Sequence, residues 1–258
     1  MKKQKRIDQI LELLSKNGEL TVVEACNKLS ASPATIRRDF NLLSEKKAVT
    51  KSWGGIIPRS EHTVLDSMTP LSHRKTEFLP EKKVIAQKAA SFVKDGDIVM
   101  IDGGTTTLEM IPFLAHLRLK IITNSILIAQ HIDNLSKKHD LEVFLTGGML
   151  YPGSGLLVST QASETLEKYH AKWLFLSTGG VSEKGISNSN ILVVETERSM
   201  VKQSENVVIL ADCSKIGKND LVKLCDFKDL DLLITNDKPE SRLMLEKMEI
   251  DKEKTLFV

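Results

Sequence analysis

Hydrophobic and polar positions along this chain fall into two regimes. Over residues 3–16 Ile7, Ile10, Leu11 and Leu14 recur at i, i+3, i+4 and i+7. That spacing is one face of an amphipathic helix, which Asn17-Gly18 ends. Thr21-Val22-Val23-Glu24 has the spacing of a capping box, in which the Thr21 hydroxyl and the Glu24 carboxylate each accept the other's backbone N–H. It opens a short second helix to about Leu29. Ser30-Ala31-Ser32 reads as a tight turn, with Ser32 as N-cap and Pro33 in the first position of a third helix that runs to about Lys47. Residues 48–58 predict two short strands around a turn.

From Glu81 the period changes. A helix on Val84, Ile85, Lys88, Ala89 and Phe92 is followed by short apolar runs near 97–101, 119–123, 141–146, 172–177, 206–211, 221–225, 231–235 and 254–258. Helical stretches near 106–116, 125–135, 160–169, 191–204 and 239–248 alternate with them. Such alternation predicts an α/β domain with a mainly parallel sheet covered on both faces. Residues 59–80 have a weak pattern punctuated by Pro70 and Pro80 and read as a linker. The expected organisation is a small helix-turn-helix domain with a candidate wing over 1–58, a linker over 59–80 and an α/β domain over 81–258, a division that 258 residues accommodate.

Charge sharpens this division. The formal net charge is only +2, which taken whole argues against a cationic binder of nucleic acid or membrane. Residues 1–59, however, carry 12 Lys+Arg against 6 Asp+Glu, a net of +6, and residues 60–258 carry 24 against 28, a net of −4. A basic head on an acidic body points to nucleic-acid contact through one end. Three widely spaced cysteines, Cys26, Cys213 and Cys225, support neither a disulfide framework nor a zinc ribbon. The first residues lead into Ile7-Asp8 rather than an apolar run, so no signal peptide is expected. The uncharged stretch 143–163 is broken by glycines and Pro152, so no membrane helix is expected either, and the chain reads as cytoplasmic.

On the third helix Ile36, Phe40 and Leu43 share a stripe, which leaves Ala34, Arg37, Arg38 and Asn41 on the opposite side. An arginine near the N-terminal half of a recognition helix can fork onto guanine or clamp a phosphate in the major groove. The competing reading is a surface ion pair of Arg37 with Asp39 or Glu45. Ser32, Ala34, Thr35, Arg37, Arg38 and Asn41 are the helix candidates for DNA contact. Lys51 is the wing candidate, reaching the sugar-phosphate backbone, and Trp53 either stacks at the wing or packs beneath it.

In the α/β half the informative residues follow the strands: Asp102-Gly103-Gly104-Thr105-Thr106-Thr107, Thr123-Asn124-Ser125, Thr146-Gly147-Gly148, Ser177-Thr178-Gly179-Gly180 and Asp212-Cys213-Ser214-Lys215. A parallel sheet puts all of them on one edge, where open α/β folds bind ligands. Gly104, Gly147 and Gly148 would let backbone approach a ligand. Thr105, Thr106 and Thr107 would offer hydroxyls at the start of a helix that favours an anion, and Lys215 a full positive charge. Asp102 and Asp212, which would repel a phosphate, are expected on sugar hydroxyls. Neither a P-loop nor a dinucleotide fingerprint is present, so no cofactor is expected. The six histidines show no metal spacing.

Residues 1–57 resemble the N-terminal winged helix of the DeoR family of bacterial transcription repressors. The resemblance is carried by Arg6, Ile10, Leu14, Gly18, Gly54-Gly55 and above all the run Ser32-Pro33-Ala34-Thr35-Ile36-Arg37-Arg38-Asp39. Residues 74–236 resemble the effector domain of the same family through Arg74 with Lys82, the Asp102 to Thr107 run, Thr123-Asn124-Ser125, Gly147-Gly148, Gly180, Gly185, Glu195 and Asp212 to Gly217. Ser177 stands where the family often has glycine. The resemblance implies a fold similar to ribose-5-phosphate isomerase and a phosphorylated sugar or sugar alcohol as inducer. By position it implies Thr105, Thr106, Thr107, Asn124, Gly148 and Lys215 as ligand residues. The expected partners are a double-stranded DNA operator and that inducer, the expected assembly a homodimer or homotetramer. The competing class is an enzyme on the same type of domain, a sugar-phosphate isomerase or CoA transferase, with Asp102, Asp212 or Glu195 as base.

Overall fold

The computed structural model describes residues 3–45, 48–52, 54–58, 71–135, 140–151, 153–158, 164–248 and 250–258. The chain divides into two units, Met1–Asp66 and Ser67–Val258.

In the first unit α1 (Lys3–Asn17), β1 (Leu20–Thr21), α2 (Val22–Leu29) and α3 (Pro33–Glu45) precede the hairpin of β2 (Val49–Ser52) and β3 (Gly55–Pro58). The apolar stripes converge on one core of Ile7, Ile10, Leu14, Leu20, Ala25, Ile36, Phe40, Leu43, Val49 and Ile56. Leu11, expected on the same stripe, is exposed instead. The capping box forms as the spacing requires, with Thr21 Oγ1 accepting from Glu24 N at 3.2 Å and Glu24 Oε2 accepting from Thr21 N at 3.0 Å. Ser32 Oγ caps α3 by accepting from Thr35 N at 3.3 Å. The wing is three-stranded rather than two-stranded, because β1 pairs with β3 on the side away from β2. Gly55 permits that pairing: a Cβ there would meet the Leu20 carbonyl oxygen at 2.5 Å. Trp53 and residues 46–47, the expected end of the third helix, lie outside the described residues.

The second unit begins with α4 (Leu71–Thr76) and α5 (Leu79–Ala90), so residues 71–80 are helical parts of this unit and not linker. Pro80, read as punctuation, lies in the first turn of α5, where a missing N–H costs nothing. Residues 59–70 lie outside the described residues. A seven-stranded, wholly parallel sheet follows in the order β15-β14-β12-β9-β4-β5-β6. Its strands are β4 (Ile98–Ile101), β5 (Leu119–Thr123), β6 (Leu141–Leu145), β9 (Ala171–Ser177), β12 (Ser204–Leu210), β14 (Leu232–Thr235) and β15 (Thr255–Phe257). Alternate side chains feed two cores. Met100, Ile122, Leu174, Leu176 and Ile209 go to one face, and Ile101, Ile121, Phe175, Val208 and Leu210 to the other. α8 (Ile126–Asn134), α9 (Ile191–Lys202) and α10 (Pro239–Lys247) supply covering helices.

Three departures from the sequence pattern have local causes. The helix expected over 106–116 is two four-residue turns, α6 (Thr105–Leu108) and α7 (Ile111–Leu114). Pro112 has no N–H with which to continue a helix through Leu108. Two hairpins interrupt the alternation: β7 (Met149–Tyr151) with β8 (Leu156–Val158), and β10 (Gly180–Ser182) with β11 (Gly185–Asn188). Their strands of three or four residues between glycines are too short to show a period. The strand expected at 221–225, β13 (Val222–Cys225), pairs antiparallel with β11 in a second small sheet rather than joining the parallel one. Of the helix expected over 160–169, residues 160–163 lie outside the described residues. No described helix is long and apolar enough to cross a membrane.

Candidate functional site

In the first unit α3 buries Ile36, Asp39, Phe40 and Leu43. Ser32, Ala34, Arg37, Arg38 and Asn41 are exposed and Thr35 is half-buried. Asp39 does not pair with Arg37. It faces inward, where Arg6 Nε donates to Oδ2 at 2.5 Å and the second guanidinium nitrogen to Oδ1 at 3.3 Å. The bond to Asp39 raises the pKa of an already permanent cation. The pair sets the roll of α3 from below, and neither Arg37 nor Arg38 makes an ion pair with a described residue. An exposed, doubly basic helix face is left for an anionic partner. The backbone of Lys51 pairs with Ile56 in the wing; its side chain, like all of Trp53, lies outside the described residues.

In the second unit the sheet order reverses between β4 and β9. From β4 the strands step outward through β5 and β6, from β9 through β12, β14 and β15. Loops leaving the two strands part, and a crevice opens at their C-terminal ends, the ligand position of open parallel sheets. Gly103 after β4 and Ser177, Thr178 and Gly179 at the end of β9 line a cleft of about 200 Å³ there. Arg74 of α4 and Lys215 of the 3-10 turn after β12 reach the same cleft. A recess of about 30 Å³ shares those residues and adds Thr105, Thr106, Lys82 and Asp212. A wider depression of about 610 Å³ lies at the opposite edge of the sheet, among Gly96, Arg118, Lys120 and Glu142. It is open to solvent, and Arg118 there is held by Asp95 at 2.9 Å.

The crevice gathers positive charge. Burial lowers the pKa of Arg74, Lys82 and Lys215, and neighbouring cations lower the two lysines further, while Asp212 pulls both back up. Lys82 is 4% exposed and spends its ammonium on the chain itself. Nζ donates to the Arg74 carbonyl at 2.6 Å and the Glu77 carbonyl at 2.5 Å, and stands 3.9 Å from Asp212 Oδ2. It thereby holds the end of α4, with Arg74, against the sheet. The Lys215 ammonium makes no hydrogen bond to a described residue, and the side chain lines the cleft. Mutual lowering among cations signals a site that gains by accepting an anion.

The structure sorts the candidate residues. Thr105, Thr106 and Lys215 come together at the recess. Thr107 turns inward: its hydroxyl donates to the Asp102 carbonyl at 2.6 Å and accepts from Gly104 N at 2.9 Å, closing the turn. Asn124 is fully buried, with Nδ2 donating to Asp102 Oδ1 at 2.8 Å and Oδ1 accepting from Gly103 N at 2.8 Å. Gly104 serves space inside the protein, because a Cβ would stand 2.2 Å from Ser177 Oγ. Gly147 and Gly148 follow β6, two strands from β4, and line neither cavity. Contrary to expectation Asp102 is wholly buried and away from both cavities, whereas Asp212 caps the 3-10 turn through Ser214 N at 3.0 Å with Oδ1 and lines the recess. The anion-favouring helix start also falls away, since a four-residue turn aligns too few peptide dipoles. Glu195 is exposed beside Arg198.

Arg74 and Lys82 were visible only as part of a resemblance, and Asn188 and Glu197 were missed altogether. Glu197 does leave a sequence signal. It occupies the buried stripe of α9 with Val193, Val194 and Met200, and a carboxylate at a core position of a helix needs a reason. Among the described residues no group of His, Cys, Asp or Glu could hold a metal ion.

Comparison with known proteins places two family models on the chain. One described as DeoR-like helix-turn-helix domain matches residues 6–61, and one described as DeoR C terminal sensor domain matches residues 77–237. The HTH-type transcriptional repressor GlcR of Bacillus subtilis is 33% identical over 239 residues, covering 93% of this chain and 90% of that protein. The lactose phosphotransferase system repressor of Staphylococcus epidermidis is 30% identical over 240 residues, covering 92% and 93%. Among solved structures, ribose 5-phosphate isomerase A from Methanocaldococcus jannaschii aligns over 52% of each chain at 19% identity and a TM-score of 0.37. At that score the likeness carries no argument about chemistry.

Proposed function

The chain belongs to the DeoR family of DNA-binding transcriptional repressors, a regulator rather than an enzyme, and from that premise we propose that it controls a sugar or sugar-alcohol catabolic operon and is released by a phosphorylated sugar. The observation that carries the effector is the convergence of Arg74, Lys82 and Lys215 on a cleft at the switch point of the sheet. Lys215 and Arg74 take the phosphate, with the Thr105 and Thr106 hydroxyls beside them. Lys82 keeps Arg74 in place, and the polar wall of Ser177, Thr178 and Asn188 faces the sugar hydroxyls. Names of relatives point the same way: one is a repressor of a lactose phosphotransferase system, which concerns a sugar.

In the first unit, residues 1–58, Arg37 and Arg38 are the groove-reading side chains, Ser32, Ala34, Thr35 and Asn41 border them, and Lys51 meets the backbone. A cytoplasmic homodimer or homotetramer presents two such faces to paired half-sites. Effector and operator then compete through a coupling of about 1–3 kcal/mol, a change in operator affinity of roughly 5- to 150-fold. The test is a panel of sugar phosphates in a thermal-shift assay, with each hit carried into operator binding at fixed salt. A hit must stabilise the wild type and weaken its operator complex. Failure of every sugar phosphate to do so removes this effector class.

A further inference from the structure

Behind the cleft wall lie two carboxyl groups with too few donors between them. Glu197, on α9, is fully buried and borders the cleft. Its Oε1 accepts from Asn188 Nδ2 at 2.7 Å, and its buried Oε2 receives no hydrogen bond from any described residue. The neighbouring charge that bears on it is the carboxyl of Asp102, also fully buried. Asp102 accepts from Asn124 Nδ2 at 2.8 Å and from Ser177 Oγ at 3.1 Å. Two neighbouring ionised carboxylates would repel, and one oxygen would be left bare in a medium that cannot screen it. A single proton removes both penalties. As a carboxylic acid, Glu197 donates from Oε2 to Asp102 and still accepts from Asn188 at Oε1.

We infer that Asp102 and Glu197 hold one proton between them and that this proton fixes the sugar-facing wall of the cleft, which links effector binding to pH through Glu197. The pair ties together Asn188, Ser177 and, through Asn124, the Gly103 turn. Asn188, Ser177 and Gly103 all line the cleft. Glu197 is thus a positioning residue. The inference about binding rests on the cleft being the effector site; the inference about the proton does not.

The surroundings leave this pair as the element that titrates. Burial first, and the Asp102 charge second, push the Glu197 carboxyl well above the usual glutamate range; burial likewise raises Asp102 against its hydrogen bonds. From β13 the Cys225 thiol faces Glu197, and burial pushes it up to about 12, so it stays neutral. From β11 the neighbour is the amide of Asn188. β8 brings only Leu156, Leu157 and Val158. The charged residues of the adjoining strands are spoken for elsewhere, Lys223 of β13 by Asp226, Lys172 of β9 by Asp97 and Glu205 of β12 by His170. On α9 itself Glu195 and Arg198 are exposed and Arg198 bonds the carbonyls of Lys223 and Leu224. Across the cleft stand Arg74, whose charge reaches Asp102, and Lys215, Lys218 and Asp220.

The sign follows from the raised value. Between the ordinary glutamate pKa and the higher folded one, the folded chain binds more protons than the unfolded chain, so stability falls as pH rises through that window. Glu197→Gln reproduces the protonated geometry, its amide nitrogen donating to Asp102 and its oxygen accepting from Asn188. The experiment compares full-length wild type with Glu197→Gln, and with Asp102→Asn should the first fold poorly, by thermal unfolding from about pH 5 to about pH 9. Isotope-edited infrared spectra of the carboxyl region are recorded alongside. The expected result is a protonated-carboxyl band and a declining Tm in the wild type, both absent from either variant. A wild-type slope that persists in Glu197→Gln, or no such band in the wild type, overturns the shared proton.

The link to binding is read from the affinity of inorganic phosphate and of the sugar phosphate hits at each pH. The phosphate's own ionisation is common to both proteins and cancels in their ratio. Above the folded pKa, wild-type affinity should fall by up to about tenfold per pH unit relative to Glu197→Gln, the limit for one linked proton. Equal pH dependence in the two proteins overturns the link while leaving the effector site standing. Absence of binding by every probe at every pH removes the effector site, and with it the link, while the unfolding profiles still decide the proton.

Discussion

The two units hold their functional groups in opposite ways. In the first, Arg37 and Arg38 stand exposed on a helix face, and a part-buried polar contact beneath them, Arg6 to Asp39, stabilises the platform. In the second, Arg74, Lys82, Lys215, Asn188 and Glu197 are buried or half-buried, and most of them touch one another. Under the proposed function the difference follows from the partner. A polyanion as long as DNA is met on a convex face, where side chains can act nearly independently and salt screens them. A small phosphorylated ligand must be surrounded, so its contacts are built from groups that also hold the wall. Function and stability are therefore separable in the first unit and entangled in the second.

The largest effect that would break this comparison is on the exposed side. Arg37→Ala with Arg38→Ala should weaken operator binding by about a hundredfold or more, at roughly 1–3 kcal/mol per arginine. Chemical denaturation should move by less than about 0.5 kcal/mol, as for exposed positions generally. Unchanged anisotropy titrations with an operator duplex would remove α3 as the reader. Next, Lys215→Ala should weaken a sugar phosphate hit by roughly ten- to thirtyfold, the worth of one charge-assisted hydrogen bond, with ligand-free operator binding intact. An inducer response that survives places the phosphate elsewhere.

A smaller effect sharpens the distinction between platform and reader. Asp39→Asn removes the carboxylate from Arg6 without touching an exposed side chain. It should cost about 1–3 kcal/mol in equilibrium unfolding and weaken the operator less than the double arginine variant does. Smallest is Thr107→Val, expected to cost about 1 kcal/mol of stability with less than about a threefold change in effector affinity by calorimetry. Intact stability with collapsed affinity would return Thr107 to the ligand.

The same contrast explains what could be read from sequence. On α3, helical period alone separates Ile36, Phe40 and Leu43 from Arg37, Arg38 and Asn41, because an exposed side chain points where its Cα directs it. The period could not give the partner of Asp39, since Arg6 lies on another helix. At the sheet edge, the parallel order identifies which loops meet, but a polar residue in such a loop can turn either way. Asp102, Thr107 and Asn124 turn inward and Thr105 and Thr106 outward, a choice made by hydrogen bonds between segments distant in sequence. Gly147 and Gly148 looked equivalent to Gly103 and Gly104 until strand order set them two strands away. Arg74 lay in a stretch with no period to mark it.

One of those close approaches has an evolutionary side. The space that a Cβ at position 104 would claim is occupied by the Ser177 hydroxyl, which in turn is held by Asp102. A larger residue at 104 is admissible only in a chain that has already given up the serine, and giving up the serine strips Asp102 of a donor. The coupling runs one way: position 177 can lose its serine while 104 stays glycine, but 104 cannot gain a side chain while the serine stays, so any retuning of this cleft through 104 has to pass through 177 first.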